Sequence, residues 1–130
     1  MDNIFPSAVP EIPVTDLGDA LNYYEKNLGF NVDWGRDGGG IAGISQGQSR
    51  IFLTDRQFRE YFRNEPPVVV WLNLNSKEQV NELYEKWRSN GAKILHPPES
   101  KSWSRLHEFV VADPDGNVIR VFYNFLSSRQ

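Results

Sequence analysis

Cysteine is absent from the 130 residues, which removes disulfides, zinc-thiolate sites and thiol nucleophiles and fits a reducing compartment. Histidine occurs only twice. His96 precedes "PP", His107 adjoins Glu108, and the two make no metal-ligand spacing with each other. Long apolar runs are missing too: no segment reaches the length needed to span a bilayer, and "MDNIFPSAVP" carries no basic n-region. The chain is therefore expected in the cytoplasm, without a membrane partner. Charge of one sign is also scarce. The formal net charge is −3, and Lys and Arg are scattered rather than gathered into the basic stripe that nucleic acid requires. No Ser or Thr motif stands with a His for nucleophilic catalysis.

What the chain does have is a repeated plan. In "VTDLGDALNYYEKNLGF" the residues Leu17, Ala20, Leu21 and Tyr24 share one helical face, with Asp16 as N-cap and Gly29 just beyond the end. Sixty positions later "LNSKEQVNELYEKWRSNGA" repeats it, with Val80, Leu83, Tyr84 and Trp87 as the apolar stripe, Ser76 and Gln79 as a capping box and Gly91 as the stop. Each helix follows a β-rich run, "SAVPEIPV" or "VVVWLNL". Each precedes three shorter strand candidates, over 30–36, 40–47 and 49–54 and over 92–96, 105–112 and 117–125. Phe58, Tyr61 and Phe62 suggest a short helix at the joint, stopped by Pro66 and Pro67. This predicts a single α+β domain of two βαβββ modules, about 7–64 and 67–125. Their curved mixed sheets would surround a cavity, with the helices on the outer faces.

Strand alternation sorts the last strand into Ile119, Val121 and Tyr123 on one face and Val118, Arg120 and Phe122 on the other. If the more apolar set packs under the helices, the cavity receives Arg120. Val9, Glu11, Phe52, Thr54, Val69, Trp71 and Asn73 join it by the same alternation. A lone charge there needs a carboxylate, and Glu11 is the nearest candidate by this reading. His107 and Glu108, adjacent on one strand, face opposite ways, which argues against a joint acid/base role. Trp87 lies on the helix stripe and belongs to the core. Trp34 and Trp71 fit a cavity wall or a packed sheet equally well.

The opening "VTDLGDALNYYEKNLGF" and the closing "FVVADPDGNVIRVF" resemble the signatures of the vicinal-oxygen-chelate superfamily, which includes glyoxalase I, extradiol dioxygenases, fosfomycin-modifying enzymes and bleomycin resistance proteins. "RIFLT", "ELYEKW" and "SWSRLHEFVVADPDGN" look most like the bleomycin-binding branch. In metal-dependent members, one ligand comes from each of the first, fourth, fifth and eighth strands. The resemblance places those positions on Val9, Phe52, Val69 and Arg120, three with no lone pair to give and one always cationic. No metal and no cofactor are therefore expected.

The resemblance implies instead a ligand site built from Asp33, Trp34, Phe52, Thr54, Trp71, Trp103 and Arg120. A flat, cationic drug would be held there by aromatic stacking and acidic contacts at a homodimer interface, with Pro10 as a hinge if the first strand is exchanged. The family's "WG-x-REF" run is here "WSRLHEF", one residue longer, which alters the loop carrying Trp103. The function expected is non-catalytic binding of a small molecule, namely sequestration of a bleomycin-type antibiotic. The alternatives are a glyoxalase-like enzyme without the usual metal ligands, with Glu11 or Glu108 as acid/base, and a module whose cavity is filled by its own Phe52, Trp71 and Phe122.

Overall fold

The computed structural model describes residues 6–60 and 64–125. The first half runs β1 (Glu11–Pro13), α1 (Leu17–Lys26), β2 (Asn31–Trp34), β3 (Ile41–Gln46) and β4 (Ser49–Thr54). The second runs β5 (Val69–Asn73), α2 (Lys77–Ser89), β6 (Lys93–Lys101), β7 (Leu106–Ala112) and β8 (Val118–Asn124). Both halves are βαβββ, and each forms a four-stranded mixed sheet, ordered β1-β4-β3-β2 and β5-β8-β7-β6. In each, the strand before the helix pairs parallel with the last strand of its module, and the other pairings are antiparallel. The fold is the α+β arrangement that the repeated helix signatures predicted.

The helices start where their caps place them. Asp16 accepts from the Asp19 N–H and Ser76 from the Gln79 N–H, each cap stabilising its helix by about 1 kcal/mol. The Gln79 side chain reaches back one residue further than a capping box requires and accepts the Asn75 N–H. Ala20, Leu21 and Tyr24 of α1 and Val80 and Trp87 of α2 are buried. They join Ile12, Ile44, Leu53, Phe109, Ile119 and Val121 from the helix-covered sides of both sheets in one continuous core.

The turn "DPDGN" ties the modules together. The buried Asp113 carboxylate accepts from the Tyr24 hydroxyl and from both the backbone N–H and the side-chain amide of Asn117. Asn117 in turn donates to the Pro13 carbonyl and accepts the Val68 N–H.

Two local expectations need correction. The segment read as a loop after residue 96 stays in β6 as far as Lys101, through Pro97 and Pro98. β6 is an edge strand, and its register shifts twice, between Ile94 and His96 and between His96 and Glu99, so prolines that cannot donate are tolerated there. At the joint, Phe58 lies in a turn over 56–59 rather than a helix, its N–H capped by the Asp55 carboxylate. Tyr61 and Phe62 lie outside the described residues.

Candidate functional site

Because the helix sides of both sheets share one core, the opposite sides carry the exposed chemistry. Trp34 is 46% exposed, Trp71 49% and Val69 54%, values far from those of a packed sheet interior. These two open faces hold most of the residues singled out in the sequence.

On the first sheet, Trp34 packs edge-on to Phe52 with ring centroids 5.3 Å apart. Its indole lies across Gly43 on β3, where a Cβ would come within 2.5 Å of the ring. Glycine is what lets the tryptophan lie down on the sheet. Plain alternation would send Asp33 to the opposite side from Trp34. A register shift between Val32 and Trp34 cancels this, and the Asp33 carboxylate accepts a 3.2 Å hydrogen bond from Ser45, which alternates onto the same face as Gly43.

Thr54 is fully buried and its hydroxyl donates to Glu11 at 2.8 Å. The face therefore presents the Glu11 carboxylate, with Thr54 supporting it from beneath. Behind Thr54, the buried Arg59 guanidinium donates to the Thr54 and Val14 carbonyls and fastens the end of β4 to the chain leaving β1. The face therefore carries aromatic rings and the Asp33 and Glu11 carboxylates, with the exposed Arg50 opposite Ser45 as its one cation among these residues.

On the second sheet, Trp71 packs edge-on to Phe122 at 5.5 Å, and the Arg120 guanidinium sits 4.8 Å from the Trp71 ring centroid. Arg120 does pair with a carboxylate, but with Glu108 rather than Glu11: Nε donates to the Glu108 carboxylate at 2.9 Å. Glu11 belongs to the other sheet, whereas β7 and β8 are hydrogen-bonded neighbours in which Arg120 faces Val110, so Glu108 stands one diagonal away. The hairpin turn "DPDG" contained that register in the sequence, and Glu108 is the site residue the alternation argument missed. Leu95, His96, Glu99, Lys101 and Val110 complete a small hollow of about 120 Å³ around this pair.

His107 points the other way, as its position next to Glu108 predicts. Its ring nitrogens meet Ser100 Oγ and Asn81 Oδ1, both at 2.8 Å, an arrangement met by the neutral Nε2–H tautomer. Burial, aided by nearby Lys77, lowers its pKa from the usual 6.5. It is held away from the open face and out of reach of Glu108's chemistry.

Trp103 stands at the tip of the β6–β7 turn, 81% exposed, with Lys101 Nζ 5.7 Å from its ring. Arg105, at the end of this turn, lies in the left-handed region (φ 63°), and the ring partners of Trp34 and Trp71 are Phe52 and Phe122 rather than Trp103.

A metal does not fit the positions that the resemblance assigns to its ligands. Val9, Phe52 and Val69 offer no donor, and the fourth position holds a guanidinium already engaged by Glu108. Among the described residues no cluster of three or more His, Asp or Glu side chains could hold an ion elsewhere, and no helix is long and apolar enough to cross a membrane.

Comparison with known proteins agrees with the fold. Residues 7–121 match the family model of the glyoxalase/bleomycin resistance protein/dioxygenase superfamily. Bleomycin resistance proteins of Geobacillus stearothermophilus and Staphylococcus aureus are 29% identical to the chain, covering 92% of it and 98% of their own lengths. Among solved structures, TioX from a Micromonospora strain superposes with a TM-score of 0.73 at 18% identity, covering 92% of this chain and 99% of its own. A lactoylglutathione lyase from Agrobacterium tumefaciens gives 0.73 at 18%, covering 93% and 96%. At such identities these two structures report on the fold alone.

Proposed function

Because the chain belongs to the glyoxalase/bleomycin resistance protein/dioxygenase superfamily, we propose that it binds a bleomycin-type antibiotic and sequesters it unchanged, acting as a homodimer. One observation carries this reading: the two helix-free faces expose the aromatic pairs Trp34–Phe52 and Trp71–Phe122, while the superfamily's ligand positions carry nothing that could hold a metal. The half-exposed Trp34, with the Asp33 and Glu11 carboxylates on its face, suits a planar, cationic compound, which gains by stacking and by charge and needs no reacting group on the protein, while Trp71, already covered on one side by Arg120, offers a second stacking surface. The relatives named for bleomycin resistance, alike over nearly their whole lengths, support the choice of ligand class.

The same exposure supports the homodimer. A single chain leaves each face open on one side, and a ligand pocket buries most of its occupant. A second copy laid over these faces would supply the missing wall. Within the chain β1 pairs in parallel with β4 at the edge of its sheet, the position from which a dimer could also exchange this strand, with Pro10 as the hinge.

The experiment is to incubate the protein with bleomycin, separate free from bound drug by size-exclusion chromatography, and weigh the recovered drug by mass spectrometry. The drug should co-elute with a species of twice the chain mass and be recovered with unchanged mass. A new drug mass would turn the assignment to the enzymatic alternative, and failure to co-elute would remove the antibiotic.

A further inference from the structure

The side of β6 and β7 that faces α2 joins three residues that neither open face uses. Ser100 on β6, His107 on β7 and Asn81 on α2 form one hydrogen-bonded chain: Ser100 Oγ lies 2.8 Å from His107 Nδ1, and His107 Nε2 lies 2.8 Å from Asn81 Oδ1. Asn81 Oδ1 only accepts, so Nε2 carries the proton and Nδ1 is left as an acceptor for the Ser100 hydroxyl. The order is nucleophile, base and orienting group. Its members come from three elements, so no sequence motif announces it.

Two further features set this chain apart from a histidine that merely satisfies its own nitrogens. The first is exposure: His107 is 8% exposed, whereas Ser100 and Asn81 are both exposed, so the hydroxyl is open to solvent while the base behind it is shielded. Burial, aided by nearby Lys77, keeps the imidazole neutral and able to take a proton, and Glu78 on the same turn of α2 offsets part of the charge that then forms. The second is backbone direction. The Phe125 N–H bonds the Arg105 carbonyl just before β7, so His107, two residues on, also turns its backbone groups toward β8. Ser100, opposite His107, therefore meets it in a non-hydrogen-bonded pair and directs its own N–H outward, where β6 forms the edge of the sheet. Acyl transfer uses both groups, the hydroxyl to attack and the N–H to hold the oxyanion.

We propose that Ser100, His107 and Asn81 hydrolyse small, activated carboxylic esters, an activity separate from antibiotic binding on the open faces. Ser100 Oγ bonds to the ester carbonyl carbon while its proton passes to His107 Nδ1, and the alcohol leaves with that proton. Water then gives a proton to His107 and attacks the acyl group, which breaks the acyl–Ser100 bond, releases the carboxylic acid and restores the hydroxyl. Asn81 acts through His107 as a positioning residue. Ser100 stands on an open edge that encloses little of an acyl group, so little binding energy is available and the leaving group must be a good one.

The test is p-nitrophenyl acetate with the full chain, following nitrophenolate release and mapping acetylated peptides by mass spectrometry. A burst of about one nitrophenolate per chain, an acetyl group on Ser100 and loss of the burst in Ser100→Ala are expected. His107→Gln should slow the burst by about a hundredfold or more. Asn81→Ala, at an exposed helix position, should slow it about tenfold, the worth of one hydrogen bond, and Asn81→Asp should restore it. Absence of acetyl on Ser100, a burst that survives Ser100→Ala, or His107→Gln and Asn81→Ala variants that acylate as fast as the parent would overturn the proposal.

Discussion

Replacing Arg120 by Met should cost more than replacing Glu108 by Ala, because the two partners differ in how far they can escape. The Glu108 side chain is 8% exposed and that of Arg120 is 33% exposed. At an effective dielectric of about 20, unit charges 2.9 Å apart attract by about 6 kcal/mol. Desolvation, mostly of the carboxylate, takes back the larger share, leaving a net coupling of about 2 kcal/mol. Without Arg120, Glu108 is an unpaired charge under the sheet face, at a cost of about 3 kcal/mol. Without Glu108, Arg120 keeps its place over Trp71 and part of its water, at a cost of about 1.5 kcal/mol. For a chain of this length these losses lower Tm by about 10 °C and about 5 °C. Urea unfolding of both single variants and the double variant closes a cycle, and the double should lose only about 2.5 kcal/mol. Additive losses within about 0.5 kcal/mol, or a costlier Glu108→Ala, would refute the view that this pair is a coupled, half-buried unit.

Gly43→Ala should lift the Trp34 ring off β3, changing the near-ultraviolet circular dichroism and weakening ligand binding. The ring is half-exposed and can swing away, so the stability cost stays near 1 kcal/mol. Burial, reinforced by the Asp113 charge, raises the Tyr24 pKa well above 10. The neutral phenol therefore stabilises the fold fully below pH 10, and that contribution fades as pH climbs from 10 toward the folded value; Tyr24→Phe should flatten this alkaline loss in urea titrations across pH 9–11. His107 has the opposite sense. With its folded pKa below 6.5, its contribution is complete above pH 6.5 and lost as pH falls through the folded value, so His107→Gln should lessen the destabilisation that develops as pH falls below 6.5.

The fold was legible because its signals are local and occur twice. Asp16 and Ser76 start helices through their own side chains, and Gly29 and Gly91 end them at positive φ, so each helix can be read without its neighbours. Alternation likewise gave the two faces of β8 correctly, since Ile119 and Val121 are fully buried and Arg120 is not. The site was less legible because it depends on register. Glu108 reaches Arg120 through a hairpin pairing, and Asp33 shares a face with Trp34 through an irregularity that no periodicity shows. The extension of β6 through two prolines depends on its being an edge strand, a fact of topology rather than composition.

Tryptophan fluorescence of the metal-free protein, titrated with copper-free and copper-bound bleomycin, tests the sequestration reading most directly, with Trp34→Ala and Trp71→Ala variants alongside. Saturable quenching at micromolar or tighter Kd, with about two drug molecules per dimer and a clear loss of affinity in each variant, is the expected result. No response to either form of the drug, or binding that neither variant weakens, would contradict the assignment of the open faces as the antibiotic site.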